Sequence, residues 1–263
     1  MFLIMEQFLI GLLQLDQGKE TLEKSFQAAV NALMIDYPQL FFVDVRHISL
    51  AIMKKQYPGF GPIFYVSISN STGEKFYLEG IRNKEEAENA RRVVENVRQN
   101  VISKVKSTDT IYEKVKIIHD YLVDNITYDQ TSSGELKHTL YAALIYNRAV
   151  CEGYAKSFKY IADGLGIPTI TVVGEGISDG RSEAHAWNYV YIDGNWYGID
   201  STFDDPIVRG GGSITEERKR KFFLVGAAEF NGNHIPNGIV TPGISFAYPA
   251  LAPSKYIPVV SRH

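Results

Sequence analysis

The sequence contains a single cysteine in 263 residues, Cys151, so no disulfide can form within the chain. Its stability must therefore come from packing and hydrogen bonding. The chain also lacks an excess of basic charge, because 27 Lys and Arg face 30 Asp and Glu and the formal charge is -3. Without a broad basic field it is a poor partner for phosphate backbones, and we predict that it does not bind nucleic acid.

Long apolar runs are missing as well. No stretch has the roughly 20 consecutive apolar residues that a membrane-spanning helix requires, so we predict no membrane span. The apolar segment from Met1 to Leu15 is interrupted by Glu6 and Gln7, and no Lys or Arg precedes it. These features favour an amphipathic helix over a signal peptide. A cytoplasmic location is the default expectation, with a secreted or cell-surface one open if the chain belongs to a longer protein.

What is present resembles an ordinary globular composition, with 45% hydrophobic and 22% charged residues. Residues 21–33 and 83–106 show helical spacing of apolar residues and are predicted helices. Residues 41–52 and 61–69 are rich in β-branched and aromatic residues and are predicted strands. Their aromatic residues are expected to form sheet core, with a protein-binding groove as the alternative.

A domain boundary is predicted where this pattern breaks, at the Ser-Thr-Asp-Thr segment of residues 107–110. Thr110 and Glu113 have the spacing of a capping box, which starts a new helix. We therefore divide the chain into an N-terminal helix-and-strand region, residues 1–108, and a core, residues 109–263. The N-terminal region has no motif of its own, and we expect it to shape access to the core.

The core is predicted to be α+β. Apolar spacing indicates one helix that ends near Asn125 and another that begins at Cys151. Strand patterns follow over residues 169–173, 184–192 and 196–201. Strands that follow one another with short turns favour an antiparallel sheet, on which the helix that carries the cysteine packs.

The setting of Cys151 suggests a nucleophile, although an isolated cysteine is more often an inert buried residue. At a helix start, unpaired backbone N–H groups and the helix dipole favour the thiolate form. Gly153 removes a side chain from the opening turn, which is expected to let a substrate approach. The same N–H groups could bind an oxyanion.

A histidine and a carboxylate that could serve this thiolate lie on a predicted hairpin. Asp193-Gly194 is a strong signal for a two-residue turn. In the resulting register Trp187 lies opposite Asp200, so His185, Trp187 and Asp200 share one face, with His185 diagonal to Asp200. Asn188 points to the opposite face, where we expect it to make a structural hydrogen bond. Together, Cys151, His185 and Asp200 form the pattern of nucleophile, base and orienting carboxylate.

These residues stand in motifs whose order and spacing resemble the bacterial transglutaminase-like family, over about residues 109 to 205. The motifs are VCEGYA from Val150, GIP from Gly166, HAWN from His185 and WYGID from Trp196. A weaker likeness follows in FFLV from Phe222, with Phe230 and His234. The resemblance implies a papain-like catalytic core in which Cys151 attacks a carboxamide, His185 shuttles the proton and Asp200 holds the imidazole.

The resemblance also implies an acyl-enzyme thioester, whose fate the sequence leaves open. Attack by an amine gives cross-linking or transamidation, and attack by water gives deamidation or proteolysis. The substrate is expected to be a protein or peptide, either a glutamine side chain or a peptide bond. A cysteine peptidase and a catalytically idle binding module remain as alternatives.

Oxyanion and substrate contacts are less defined. Animal transglutaminases use a tryptophan upstream of the cysteine, whereas Trp187 and Trp196 both lie downstream of it here. Tyr141 is the predicted substitute, and Gly153 and Trp187 complete the candidate set. No calcium loop and no histidine pair at ligand spacing occurs, so we predict neither a cofactor nor a metal.

Overall fold

The structure is a computed structural model that describes residues 16–70, 76–205, 215–241 and 244–258. The amphipathic helix predicted for residues 1–15 lies outside the described residues. The helices are Asp16–Asp36 (α1), Lys84–Ile102 (α2), Ile111–Asn125 (α3), Leu140–Tyr146 (α4), Cys151–Gly164 (α5) and Ala227–Phe230 (α6). The strands are Ile48–Tyr57 (β1), Phe60–Asn70 (β2), Thr127–Tyr128 (β3), Arg148–Ala149 (β4), Thr169–Ser178 (β5), Arg181–Ile192 (β6), Asn195–Ile199 (β7), His234–Pro236 (β8), Ile239–Thr241 (β9) and Ile244–Ser245 (β10).

In the N-terminal region, the first predicted strand begins too early. Residues 38–40 and 45–47 form 3₁₀ turns instead, the first with Pro38 at its start and the second capped by the side chain of Asp44. The expectation of a sheet core also fails for this hairpin, because β1 and β2 form a separate two-stranded sheet and none of their side chains that the structure describes is buried. Phe60 is 77% exposed and Tyr65 is 47% exposed.

The start of α3 is confirmed. The Thr110 hydroxyl accepts the N–H of Glu113, and the Glu113 carboxylate accepts the N–H of Thr110 at 2.7 Å. This reciprocal pair satisfies two N–H groups that the helix cannot bond internally. The helix therefore begins at Ile111 and packs Val115, Ile118 and Leu122 into the core.

The central sheet has four antiparallel strands in the order β7-β6-β5-β8. The predicted register is confirmed, because Tyr191 pairs with Trp196 and Ile192 with Asn195. Asp193 and Gly194 have φ values of 49° and 85°, the two positive values that a type I′ turn requires. The turn therefore fixes which residues of β6 and β7 face the same side.

One face of the sheet packs against α5. Asn188 donates from its side chain to the carbonyl of Ala155 at 3.0 Å, which confirms the structural hydrogen bond expected of it. The core on this side includes Phe158 and Ile161 of α5 and also Val94 of α2. Because α2 precedes residue 109 and shares this core, the division at residue 108 stays a prediction.

The other face of the sheet is covered by the C-terminal segment. Trp187 and Tyr189 pack there with Phe222, Val225 and Phe230. The chain is thus a mixed helix-and-sheet fold with an apolar layer on each side of the central sheet, in agreement with the predicted α+β class. None of the helices in the described part of the chain combines the length and apolar character that a bilayer crossing requires.

Candidate active site

Cys151 is the first residue of α5, as the sequence predicts, and its side chain is partly exposed. A short parallel ladder places it: Thr127 pairs with Arg148 and Tyr128 with Ala149, two residues before the cysteine. Val150 is the cap residue and donates its own N–H to the carbonyl of Lys137 at 3.0 Å. The helix start is therefore anchored on both sides, and the thiol emerges at the positive end of the helix dipole.

His185 and Asp200 are in direct contact. Nε2 of His185 lies 2.6 Å from Oδ2 of Asp200, and the two residues are only 8% and 1% exposed. Burial disfavours the charged imidazolium, but the charge and hydrogen bond of Asp200, followed by the hydrogen bond and charge of Cys151, outweigh it and raise the pKa of His185 to about 10. Because Nε2 is occupied by Asp200, Nδ1 is the ring nitrogen left for Cys151.

The Asp200 carboxylate accepts four hydrogen bonds. Oδ1 receives the backbone N–H groups of Thr202 and Phe203 at 2.9 and 3.0 Å. Oδ2 receives Nε2 of His185 and, at 2.8 Å, Nε2 of His234. Burial alone would raise the pKa of Asp200, yet these two histidines hold it well below its usual range. The carboxylate is therefore ionised and fixed in place.

The His185 ring is also fixed by its neighbours. It stacks on Phe203 with 4.4 Å between ring centroids. On the adjacent strand, a Cβ at Gly176 would lie 2.8 Å from Cγ of His185, so the glycine is needed for the ring to occupy this position. An imidazole held in one orientation loses little freedom when it transfers a proton.

Two of the expected substrate contacts need correction. Trp187 is only 1% exposed and lies inside the apolar layer, 5.9 Å from the His185 ring, so it supports the histidine from within the protein. At Gly153 a Cβ would lie 2.6 Å from Cβ of Ala149 and 3.0 Å from the carbonyl oxygen of Thr139. The missing side chain therefore makes room for the fold rather than for substrate, and the N–H of Gly153 already donates to Val150 at 2.9 Å.

Tyr141 lies on α4, a helix that the sequence analysis missed. Its ring stacks on Phe41 with 5.2 Å between centroids. Burial and then a hydrogen bond with Tyr146 raise the pKa of Tyr141, and the two rings meet edge to face at 5.5 Å. The oxyanion role expected of Tyr141 stays a prediction.

Two residues near the site were not assigned a role from sequence. His234 falls in the weaker part of the family likeness, and the structure brings it onto Asp200 through β8. Tyr128 stands in no sequence motif. Burial, followed by the charges of Cys151, Glu183 and Asp200, raises the pKa of Tyr128 to about 12, which keeps its hydroxyl protonated.

A set of possible cation ligands coincides with this site. Within the described residues, the ligand atoms of His185, Asp200 and His234 lie within 4.8 Å of one another. The hydrogen bonds from both histidines to the same carboxylate oxygen account for this cluster, and we assign no metal to it.

Other histidines and acids have separate structural partners. His119 is buried and bonds to Asp204 at 3.1 Å, and Asp204 also accepts the N–H of Phe222. His138 bonds to Glu152 at 3.1 Å. Asp204 therefore belongs to a network that ties α3 to the C-terminal segment, and Asp200 is the carboxylate that contacts His185.

Comparison with known proteins agrees with this architecture. The family model of the transglutaminase-like superfamily matches residues 95–201. Kyphoscoliosis peptidase from Mus musculus is 29% identical over 137 residues, which cover 48% of this chain and 21% of the mouse protein. The chain thus spans about a fifth of that relative's length.

Among solved structures, a protein described as a TGase is 20% identical with a TM-score of 0.41, covering 68% of this chain and 51% of that one. The periplasmic domain of TgpA from Pseudomonas aeruginosa is 16% identical with a TM-score of 0.31, covering 57% of each chain.

The matched region, residues 95–201, is the part of the chain that holds Cys151, His185 and Asp200. Over these residues the chain resembles the transglutaminase-like superfamily. The resemblance to this family is therefore confirmed, and its bacterial branch stays a prediction.

Proposed function

We propose that the protein catalyses cysteine-dependent acyl transfer or hydrolysis at amide bonds of a protein or peptide. Cys151 is the nucleophile, His185 is the general base and acid, and Asp200 orients the imidazole. The observation that carries this proposal is the position of His185, which bonds to Asp200 through Nε2 at 2.6 Å and lies close enough to Cys151 for the charge of the thiolate to raise its pKa. Such an arrangement is the nucleophile, base and orienter relation of thiol enzymes.

In the first half-reaction, His185 takes the proton of the Cys151 thiol and the sulfur attacks the carbonyl carbon. The tetrahedral intermediate expels the amine, or ammonia from a glutamine side chain, as His185 returns the proton to the leaving nitrogen. A thioester on Cys151 remains. In the second half-reaction, an amine or water attacks this thioester, gives its proton to His185 and releases the product, and the thiol is restored.

A peptidase is the second candidate. Its support is the mouse relative, which bears the name of a peptidase and is 29% identical to this chain over 137 residues. A peptidase would cleave the backbone amide and pass the acyl group to water, with no dependence on an added amine. A binding module without catalysis is the third candidate, and the ionised, fully hydrogen-bonded Asp200 argues against it, since burying a charge without a use is costly.

Trapping the thioester tests the proposal without knowledge of the natural substrate. The protein is incubated with p-nitrophenyl acetate and, separately, with glutamine-containing peptides with and without hydroxylamine. We expect acetylation of Cys151 by mass spectrometry, lost in Cys151→Ala and strongly reduced in His185→Ala. His119→Gln is the matched control, because it alters a buried histidine outside the site. Absence of a Cys151-dependent acyl adduct under every condition would contradict the proposal.

The peptide reactions separate the candidate chemistries. A hydroxamate on the glutamine side chain identifies transamidation. Conversion of the glutamine to glutamate, with release of ammonia and water as the acceptor, identifies deamidation. Cleavage of the peptide backbone, independent of hydroxylamine, identifies a peptidase.

We also propose that the N-terminal region shapes substrate access. A cavity of about 290 Å³ lies between this region and α5, with Met34, Phe41 and Arg46 on one side and Glu152 and Lys156 on the other. Glu152, which lines this cavity, directly follows Cys151 in α5. Met34→Trp should fill the cavity and raise KM for peptides, whereas Met53→Trp on the exposed hairpin should not. Equal KM values for both variants would contradict this role.

A further inference from the structure

His234 is a second histidine on the catalytic carboxylate. It lies on β8, the last strand of the central sheet, where it pairs with Gly176 of β5. Its Nε2 is 2.8 Å from Oδ2 of Asp200, the same oxygen that receives His185. The two histidines therefore share one carboxylate oxygen as their acceptor.

The surroundings of His234 define which of its ring nitrogens donates a hydrogen bond. Its ring is stacked parallel on Phe230 at 3.7 Å, with the edges of Trp187 and Phe222 nearby. Nδ1 is buried and has no hydrogen-bond partner within the described part of the chain. A proton on Nδ1 would be an unpaired donor in an apolar layer, which is costly, whereas an ionised carboxylate can only accept, so Nε2 is the ring nitrogen that donates. His234 is thus a hydrogen-bond donor to Asp200.

A donor on a carboxylate oxygen lowers the basicity of that carboxylate, because it stabilises the ionised form. With His234 in place, Asp200 shares its charge between two imidazoles and stabilises the imidazolium form of His185 less strongly. This matters because protonated His185 must release its Nδ1 proton to the leaving group in every turnover.

We propose that His234 is a positioning residue that shares the Asp200 carboxylate with His185 and thereby limits how tightly His185 holds its proton. The inference deepens the proposed function and rests on it. The titratable groups that face His185 are Asp200, Cys151 and His234 itself, and those that face His234 are Asp200 and His185. Removing Cys151 therefore isolates the effect of His234 on the His185–Asp200 pair.

The test is an NMR titration of ¹³Cε1-labelled histidines in the Cys151→Ala background, where only six histidines contribute signals. His234→Phe keeps the ring volume and the stacking but removes the donor. We expect the titration midpoint of His185 to rise by roughly half a pH unit or more, since a hydrogen bond to a charged group is lost. His234→Gln keeps an N–H donor, so the His185 midpoint should rise less in this variant than in His234→Phe.

His119→Gln is the control for the loss of a buried histidine, and it should lower stability without moving the His185 midpoint. A midpoint that stays unchanged or falls in folded His234→Phe overturns the inference about His234. That outcome is distinct from failure of the proposed function, which shows as the absence of acylation in the protein with Cys151 intact. Thermal unfolding of each variant establishes that the measured protein is folded.

Discussion

Single residues around Cys151 differ in whether their polar atoms are already engaged. Burial and then the hydroxyl of Tyr146 raise the pKa of Tyr141, and the Gly153 N–H bonds to Val150. Tyr128, by contrast, is held opposite Ala149 by the β3–β4 ladder, and its raised pKa keeps its hydroxyl protonated. This hydroxyl is therefore available as a donor for a developing oxyanion.

We therefore expect Tyr128→Phe to slow acetylation of Cys151 by p-nitrophenyl acetate by about a hundredfold, the usual effect of losing one oxyanion donor. Alkylation by iodoacetamide should change little, because that reaction forms no oxyanion. Tyr141→Phe is the matched variant and should leave both rates near those of the parent. Equal acetylation rates for the two variants would contradict an oxyanion role for Tyr128.

Gly153→Ala tests the packing role of the glycine. The added methyl would meet Ala149 and the Thr139 carbonyl, and overpacking of this kind costs about 1–3 kcal/mol of unfolding free energy. Gly232→Ala is the control, because a Cβ there meets nothing within 4 Å. Urea unfolding measures the unfolding free energy of each variant. Equal stability of the two variants would contradict the packing role of Gly153.

The sequence predicts the candidate catalytic residues of the site better than the neighbouring residues that contact them. The spacing of Cys151, His185 and Asp200 relative to a helix start and a hairpin is visible in the sequence. His234 and Tyr128 reach the site through β8 and β3, which are three and two residues long and leave no periodic signal. Contacts made by such short strands depend on the tertiary fold and cannot be predicted from local pattern.

At the scale of elements, prediction succeeded where a local motif fixes geometry. The Asp193-Gly194 turn requires two positive φ values and so determines the β6–β7 register. It failed at α4, whose seven residues are too few for a clear helical period. Residues 41–47 carry strand-forming side chains, yet this stretch follows a 3₁₀ turn at residues 38–40 and ends in a second one at residues 45–47, which the Asp44 side chain caps.

The capping box of α3 gives a prediction at this scale. Thr110→Ala removes the acceptor for the Glu113 N–H and should lower the unfolding free energy by about 1 kcal/mol. Thr110→Ser keeps a hydroxyl acceptor and should retain most of the parent stability. Chemical denaturation of the two variants under the same conditions checks this. A loss in Thr110→Ser as large as that in Thr110→Ala would show that the hydroxyl is not the stabilising group.

For the whole molecule, the ion pair of His185 and Asp200 links stability to pH. The raised pKa of His185, about 10, stabilises the fold fully below its ordinary value of about 6.5, and this contribution is lost as pH rises toward 10. The lowered pKa of Asp200 acts oppositely, stabilising above about 3.9 and losing its contribution as pH falls. The pair therefore stabilises most between these two ordinary values.

We expect the unfolding free energy to decline between pH 6 and pH 9.5, and to decline less in His185→Gln, which cannot titrate. Urea unfolding at the two pH values, in parent and variant, measures the difference. An identical decline in both proteins would show that His185 is not protonated in the folded state near neutrality.

The measurement that tests the account most directly is the pH dependence of Cys151 alkylation by iodoacetamide, in the parent protein and in His185→Ala. An isolated thiol becomes reactive only as pH approaches about 8.5. The account predicts that Cys151 reacts rapidly well below that pH and that this reactivity is lost when His185 is removed. A Cys151 that reacts only after unfolding, or with the same pH dependence in both proteins, would contradict the assignment of Cys151 and His185 as a catalytic pair.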